Sequence, residues 1–159
     1  HVDCKIMKKE AFTVLGRAKT FRYEDAFAKV PQFWSEHFQT GGGSVVCGIY
    51  GISLDESEGS NEFEYLIADN YDPAKEIPEG YTARTIPAFT WAVFPCKGPV
   101  PQSLQKLNQQ IFSEWLPANP DYRMAAGINV ELYSDACQFE DGTRNPNSYC
   151  ALWRTVDKR

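Results

Sequence analysis

A strand-then-helix unit occurs twice in this chain, and that repetition limits the architectures open to it. Thr85–Pro117 reads TIPAFTWAVFPCKGPVPQSLQKLNQQIFSEWLP. It opens with an apolar strand, Ala88–Pro95, breaks at Gly98–Pro101, and continues as an amphipathic helix, Gln102–Leu116. Leu104, Leu107, Ile111 and Trp115 recur there at helical spacing. Pro101 suits a helix start, where its missing N–H costs nothing. The N-terminal stretch repeats the design: a strand Phe12–Phe21, then a helix Glu24–Gln39 with Phe27, Val30, Trp34 and Phe38 on one face. The two align without gaps, Ala18-Lys19 on Cys96-Lys97 and Phe33–Glu36 on Ile111–Glu114.

Each unit is followed by two further strands. In the first half these are Val45–Ile52 and Glu62–Asp69, after a stop at Thr40–Gly43 and around an acidic turn at Asp55–Asn61. In the second they are Gly127–Tyr133 and Ser148–Val156, around turn signals at Asp141-Gly142 and Asn145-Pro146. The order is β-α-β-β, written twice over about residues 10–70 and 85–157. We therefore expect one α+β domain spanning 1–159. It should have pseudo-twofold symmetry, an antiparallel sheet joined edge to edge, and both helices on one side.

Composition narrows the function. A net charge of −5 argues against a nucleic-acid surface, which needs clustered Lys and Arg; the one basic cluster, Lys5–Lys9, is short and interrupted. No apolar run has membrane-spanning length. Five cysteines are odd in number and widely spaced, without a CxxC pair, so reduced thiols in a cytoplasmic protein are expected. The chain opens with His1 and not Met, as expected of a piece of a longer protein or a tag remnant. No metal site, cofactor fingerprint, nucleophile elbow or phosphate loop is present in the sequence. His37, between Trp34 and Phe38 on its helix, reads as a surface or core-edge residue.

Eight Tyr, ten Phe and four Trp are many for 159 residues. Alternation along Gly127–Tyr133 puts Ile128, Val130 and Leu132 toward the helices, and Asn129, Glu131 and Tyr133 away from them. In the last strand Cys150, Leu152 and Val156 would face the helices, with Ala151 and Trp153 opposite. Both faces of Glu62–Asp69 carry apolar residues, so Leu66 has no assigned side. A carboxylate among rings on an open sheet face suits a lipophilic, often cationic, small molecule. The same pattern is also what a solvated glutamate on an exposed strand looks like.

The duplicated order, AVFPCKGP before a helix ending FSEWLP, and the terminal NVELY…YCALWRTV together resemble the gyrase-inhibitor-like (GyrI-like) effector-binding domain. That domain occurs at the C-terminus of AraC-type and MerR-type bacterial transcription regulators, and also alone. The resemblance implies an aromatic pocket between the two halves with a buried glutamate on the penultimate strand. At the matching positions here stand Glu131 and, two residues on, Tyr133. A second acid–aromatic pair common on the final strand reads Ala151 and Trp153. Tyr50 and Trp91 match pocket-wall positions, and Glu64 could supply a second carboxylate. The implied function is a small-molecule sensor without cofactor or metal. Its own surface would not contact nucleic acid or membrane, and a DNA-binding domain would be attached upstream. The alternative is a stand-alone hydrolase of strained cyclopropane-containing lipophiles, with Glu131 as general acid/base and Tyr133 donating a hydrogen bond.

Overall fold

The computed structural model describes residues 2–55, 59–97, 102–134, 136–137 and 149–159. One antiparallel sheet of eight strands runs through it, in the order β1 (Lys5–Lys9), β6 (Phe89–Lys97), β8 (Tyr149–Lys158), β7 (Tyr122–Leu132), β3 (Tyr50–Leu54), β4 (Glu62–Asn70), β2 (Phe12–Arg22) and β5 (Thr82–Ile86). The first half contributes β2 (Phe12–Arg22), α1 (Tyr23–Gln39), β3 (Tyr50–Leu54) and β4 (Glu62–Asn70). The second contributes β6 (Phe89–Lys97), α2 (Gln102–Gln110), β7 (Tyr122–Leu132) and β8 (Tyr149–Lys158). The helical path of α2 continues through a π turn at Ile111–Trp115 and a last turn at Leu116–Ala118. The halves meet where β3 pairs with β7, Ile52 opposite Val130. The expected β-α-β-β duplication and the expected single-sided placement of the helices are both present. Gly98–Pro101, Asp141–Pro146 and Ser148 lie outside the described residues.

Two short strands absent from the sequence reading complete the sheet. β1 (Lys5–Lys9), read above as a basic cluster, pairs with β6. β5 (Thr82–Ile86), in the interval left between the halves, pairs with β2. Each half thus takes its outer strand from the segment that leads into the other half.

That exchange dictates the shape. Only Glu10 and Ala11 join β1, at one end of the sheet, to β2, near the other end. Three Cα steps reach at most about 11 Å, so the two ends must lie side by side. Pro87 and Ala88 impose the same closure between β5 and β6. The sheet therefore curls into an almost closed barrel. Phe12 on β2 lies 6.4 Å from Trp153 on β8 across the interior.

Inside is a core of Val14, Ile52, Leu66, Ala68, Trp91, Val130 and Trp153, all buried. Burial of this inner face is supplied by the sheet itself, so it is not an open face waiting for a ligand. The outer face carries the helices. Leu104, Leu107, Ile111 and Trp115 pack on Phe94, Cys150, Leu152 and Val156, as the helical spacing predicts.

For α1 the spacing is read one position out. The expected stripe Phe27-Val30-Trp34-Phe38 leaves Phe27 80% and Phe38 51% exposed. The helix buries Phe33 and His37 instead, with Ala26 and Val30 on the same side. These follow i, i+4, i+7 and i+11, the closer fit to 3.6 residues per turn. His37 is consequently a core residue, and its Nε2 lies 2.8 Å from the Val46 carbonyl. Pro31 sits inside this helix, which begins at Tyr23 and runs through it.

Candidate functional site

The two central strands are crossed by a row of neighbouring residues: Ile67 on β4, Gly51 on β3, Glu131 on β7, Leu152 on β8 and Phe94 on β6. Leu152 and Phe94 lie under α2, so the entire row faces the helices. This corrects the alternation argument for β7. Glu131 and Tyr133 are on the helix-covered side, while Ile128 and Val130 fill the barrel. The reason is that both sheet faces are buried, so β7 offers no solvent-facing set to mark which side is which.

On that outer face Glu131 sits at the junction of the halves. Its Oε1 accepts hydrogen bonds from Tyr65 Oη at 2.6 Å and Tyr133 Oη at 3.1 Å. Tyr65 Oη accepts in turn from the indole Nε1–H of Trp34 on α1, at 2.8 Å. Trp34 stands edge-on to Tyr133, 5.5 Å between ring centres, and also packs on Tyr65 and Phe38. Elements of both halves therefore supply one network: α1 and β4 from the first, β7 and the residue that follows it from the second.

Glycines make the room. A Cβ on Gly51 would overlap both Tyr65 Oη and Glu131 Oε1, so the carboxylate rests directly over bare backbone. Gly48, at φ +86°, lies against the Trp34 ring in a conformation suited to glycine. Val45–Ile49, expected as strand, is a loop here. The Asp69 carboxylate accepts from the amides of Cys47, Gly48 and Ile49 at 2.9, 2.9 and 3.1 Å, and so fixes it.

A disulfide joins this loop to the segment beyond β7. Cys47 and Cys137 are bonded, with Cα atoms 5.6 Å apart, 90 positions apart in sequence. The expectation of five reduced thiols is overturned for this pair; Cys4, Cys96 and Cys150 are free. The pairing was hidden because β3 and β7 become neighbours only in the folded sheet. Tyr133 N–H donates to the Ile49 carbonyl at 2.7 Å, which brings the same two segments together.

Electrostatics follow from burial. Desolvation among rings raises the Glu131 carboxyl above the ordinary carboxylate range; the Tyr65 hydrogen bond, the Arg154 charge and the Tyr133 hydrogen bond each pull it back. Burial and then the Glu131 charge push the phenols of Tyr65 and Tyr133 well above their usual value. Both stay protonated donors at neutral pH. What remains is a part-buried carboxyl group ringed by aromatic surface, which in its ionised form attracts a lipophilic cation.

The other sequence candidates lie elsewhere. Trp91 and Trp153 face the barrel interior with rings 5.8 Å apart, and Tyr50 packs there on Phe12. Each of the two indole N–H groups is buried without a hydrogen-bond partner. Tyr50 Oη donates to Asn70 Oδ1 at 2.9 Å. Glu64, on the barrel side of β4, is held by Nη1 and Nη2 of Arg84. The six residues named from sequence therefore divide between two faces, and only Glu131 and Tyr133 join. Tyr65, Trp34 and Gly51 were not among them. Tyr65 alternates with Leu66 on a strand apolar on both sides, so only its pairing register reveals its face. Among the described residues no group of His, Cys, Asp or Glu could hold a metal ion.

Comparison with known proteins places the fold. The transcriptional regulator BrlR of Pseudomonas aeruginosa PAO1 is 28% identical over 163 residues, 96% of this chain and 55% of BrlR. The chain thus spans about half the length of that relative. Among solved structures, SAV2435 bound to tetraphenylphosphonium superimposes with a TM-score of 0.80 at 19% identity, covering 98% of this chain and 94% of that one. An integron cassette protein from the mobile metagenome of Vibrio cholerae gives 0.71 at 16% identity, covering 97% and 95%. Residues 5–156 match the family model described as Cass2, integron-associated effector binding protein, and the chain belongs to that effector-binding family, whose fold is the GyrI-like one.

Proposed function

We propose that this chain is the small-molecule sensor of a bacterial transcription regulator, and that it holds a lipophilic cation over Glu131. The observation that carries the reading is the part-buried Glu131 carboxylate, gripped by Tyr65 and Tyr133 beneath Trp34. A cation placed there gains both the charge and the ring faces, while a neutral molecule gains the rings alone. Tetraphenylphosphonium, the ligand named for SAV2435, has this chemistry. Sensing requires only that the ligand prefer one of two conformations of the protein. The site draws on both halves, so an occupant that separates or draws together α1 and β7 has a structural route to such a preference. DNA contact belongs in this reading to an attached domain, since the chain itself carries a net charge of −5. Such a regulator works in the cytoplasm. No helix among the described residues is long and apolar enough to cross a membrane.

The test is titration of wild type and Glu131→Gln with tetraphenylphosphonium and neutral triphenylphosphine oxide, read by tryptophan fluorescence. Gln keeps the shape and both tyrosine hydrogen bonds while removing the charge. Loss of a charged partner is worth about 1.5–3 kcal/mol, so the cation should weaken at least tenfold and the neutral ligand hardly at all. Equal losses for both ligands refute the role given to the carboxylate.

A further inference from the structure

A half-buried guanidinium lies next to Glu131 and makes no hydrogen bond in the network described above. Arg154 on β8 pairs with Asn129 on β7, while Glu131 pairs with Leu152 two residues along. Arg154 and Glu131 are therefore diagonal neighbours on the helix-covered face, about 7–8 Å apart at the backbone. Among the described residues no carboxylate forms an ion pair with Arg154. Its Nη2 donates to Asn108 Oδ1 on α2 at 2.6 Å, and Nη1 reaches the Trp153 carbonyl only at 3.5 Å. A half-buried arginine with one neutral side-chain acceptor is an underused donor.

The space beside it is open. Arg154, Asn108, Asn129, Met124 and Phe112 line a cleft of about 340 Å³. The sheet makes this cleft by breaking its own register: β7 advances from Met124 to Asn129 while β8 advances only from Val156 to Arg154. Irregularities of this kind re-aim side chains and recur beside functional sites. The bulge is anchored, with Asp55 N–H donating to the Gly127 carbonyl at 2.7 Å. The Asn108 oxygen is already engaged by Arg154, which leaves its amide N–H₂ as a second donor at the cleft. Phe112, 49% exposed, adds an apolar wall.

We propose that Arg154, with Asn108, forms an anion subsite next to Glu131, so that the preferred effector is zwitterionic: a lipophilic cation bearing a carboxylate on a short arm. This rests on the cation reading of Glu131 given above. Arg154 fits a carboxylate through two parallel N–H donors, and the neighbouring Glu131 would repel that same group if the ligand bound in reverse. The pair thus fixes orientation as well as charge type.

The probes are tetraphenylphosphonium, (4-carboxybutyl)triphenylphosphonium and the methyl ester of the latter. Ester and acid share every contact except the anion. In wild type the acid should bind about ten- to a hundredfold tighter than its ester, the span expected for a charged hydrogen-bonded partner. In Arg154→Gln that advantage should vanish, while tetraphenylphosphonium binds as well as before or better, having lost a repelling neighbour. Asn108→Asp is the second variant, in case loss of the arginine impairs folding. It offers Arg154 an internal carboxylate at the same position, and should abolish the advantage by occupying the guanidinium. If tetraphenylphosphonium binds but the acid is no better than its ester, or keeps its advantage in both variants, the subsite is refuted and the cation site stands. If none of the three binds wild type, the cation reading fails and takes the subsite with it.

Discussion

Removing one hydroxyl, Tyr65→Phe, tests the network through its protonation. Tyr65 Oη donates to Glu131 Oε1 at 2.6 Å and accepts from Trp34 Nε1 at 2.8 Å, so the substitution removes two hydrogen bonds without changing the ring packing. The bond to the carboxylate is of the charged kind, worth about 1.5–3 kcal/mol, and the indole bond about 0.5–1.5 kcal/mol. A loss of about 2–4 kcal/mol in unfolding free energy is therefore expected at neutral pH. The pH dependence carries the sharper signature. Burial already raises the Glu131 pKa, and the Tyr65 hydrogen bond is the largest influence pulling it down. Without the hydroxyl the pKa must rise further. A carboxyl whose folded pKa exceeds its unfolded value stabilises the fold while protonated, and that contribution fades as pH rises from the ordinary carboxylate value through the folded pKa. The variant should accordingly lose less stability in acid than at neutral pH. Cation binding requires the ionised form, so its onset with rising pH should shift upward in the variant. Urea unfolding and tetraphenylphosphonium titration, each run across the acid to neutral range, measure both effects. A binding onset that stays fixed or moves down would show that Tyr65 does not set the ionisation of Glu131.

Gly51→Ala should cost about 1–3 kcal/mol, the usual range for overpacking, because the new methyl overlaps Tyr65 Oη and Glu131 Oε1. It should also abolish cation binding; retention of wild-type affinity would mean the carboxylate need not rest on bare backbone. Cys47→Ser, or reduction of the wild type, should cost about 2–4 kcal/mol, given the long loop that Cys47–Cys137 closes. Oxidised protein, verified by mass, that melts unchanged after reduction would refute this.

The duplication and the helix on each half were legible because amphipathic periodicity survives in a single sequence. Leu104, Leu107, Ile111 and Trp115 declared their shared face, and the structure buries all four. β1 and β5 were not legible. KIMKK and TARTI are short, and they earn strand structure only by pairing with segments far along the chain. The same non-locality hid the site. Glu131 could be singled out by its company in NVELY, but its side of the sheet depends on facing Gly51 and Leu152, a matter of register. Alternation fails as a guide wherever both faces of a sheet are buried, which the curled barrel ensures here. Tyr50, Trp91 and Trp153 attracted attention as large rings on an apparently open face. They line an interior that no local pattern along the chain announces.

The exchange of outer strands also sets an order in time. Phe12 pairs with Ile86, so the first half has all its strands once β5 is made, whereas Lys5 pairs with Val93 and β1 must wait for the second half. As the chain emerges from the ribosome, β2, α1, β3 and β4 can assemble, but β1 must wait unpaired until β6 appears. Its lysines at positions 5, 8 and 9 keep that waiting edge soluble and discourage premature pairing with other chains. Ladders between residues so far apart in sequence slow the search for the native state. β6 in turn reaches the first half only through β8 and β7, the last strands made, so a chain interrupted after β5 would leave β1 unpaired and β3 with an open edge.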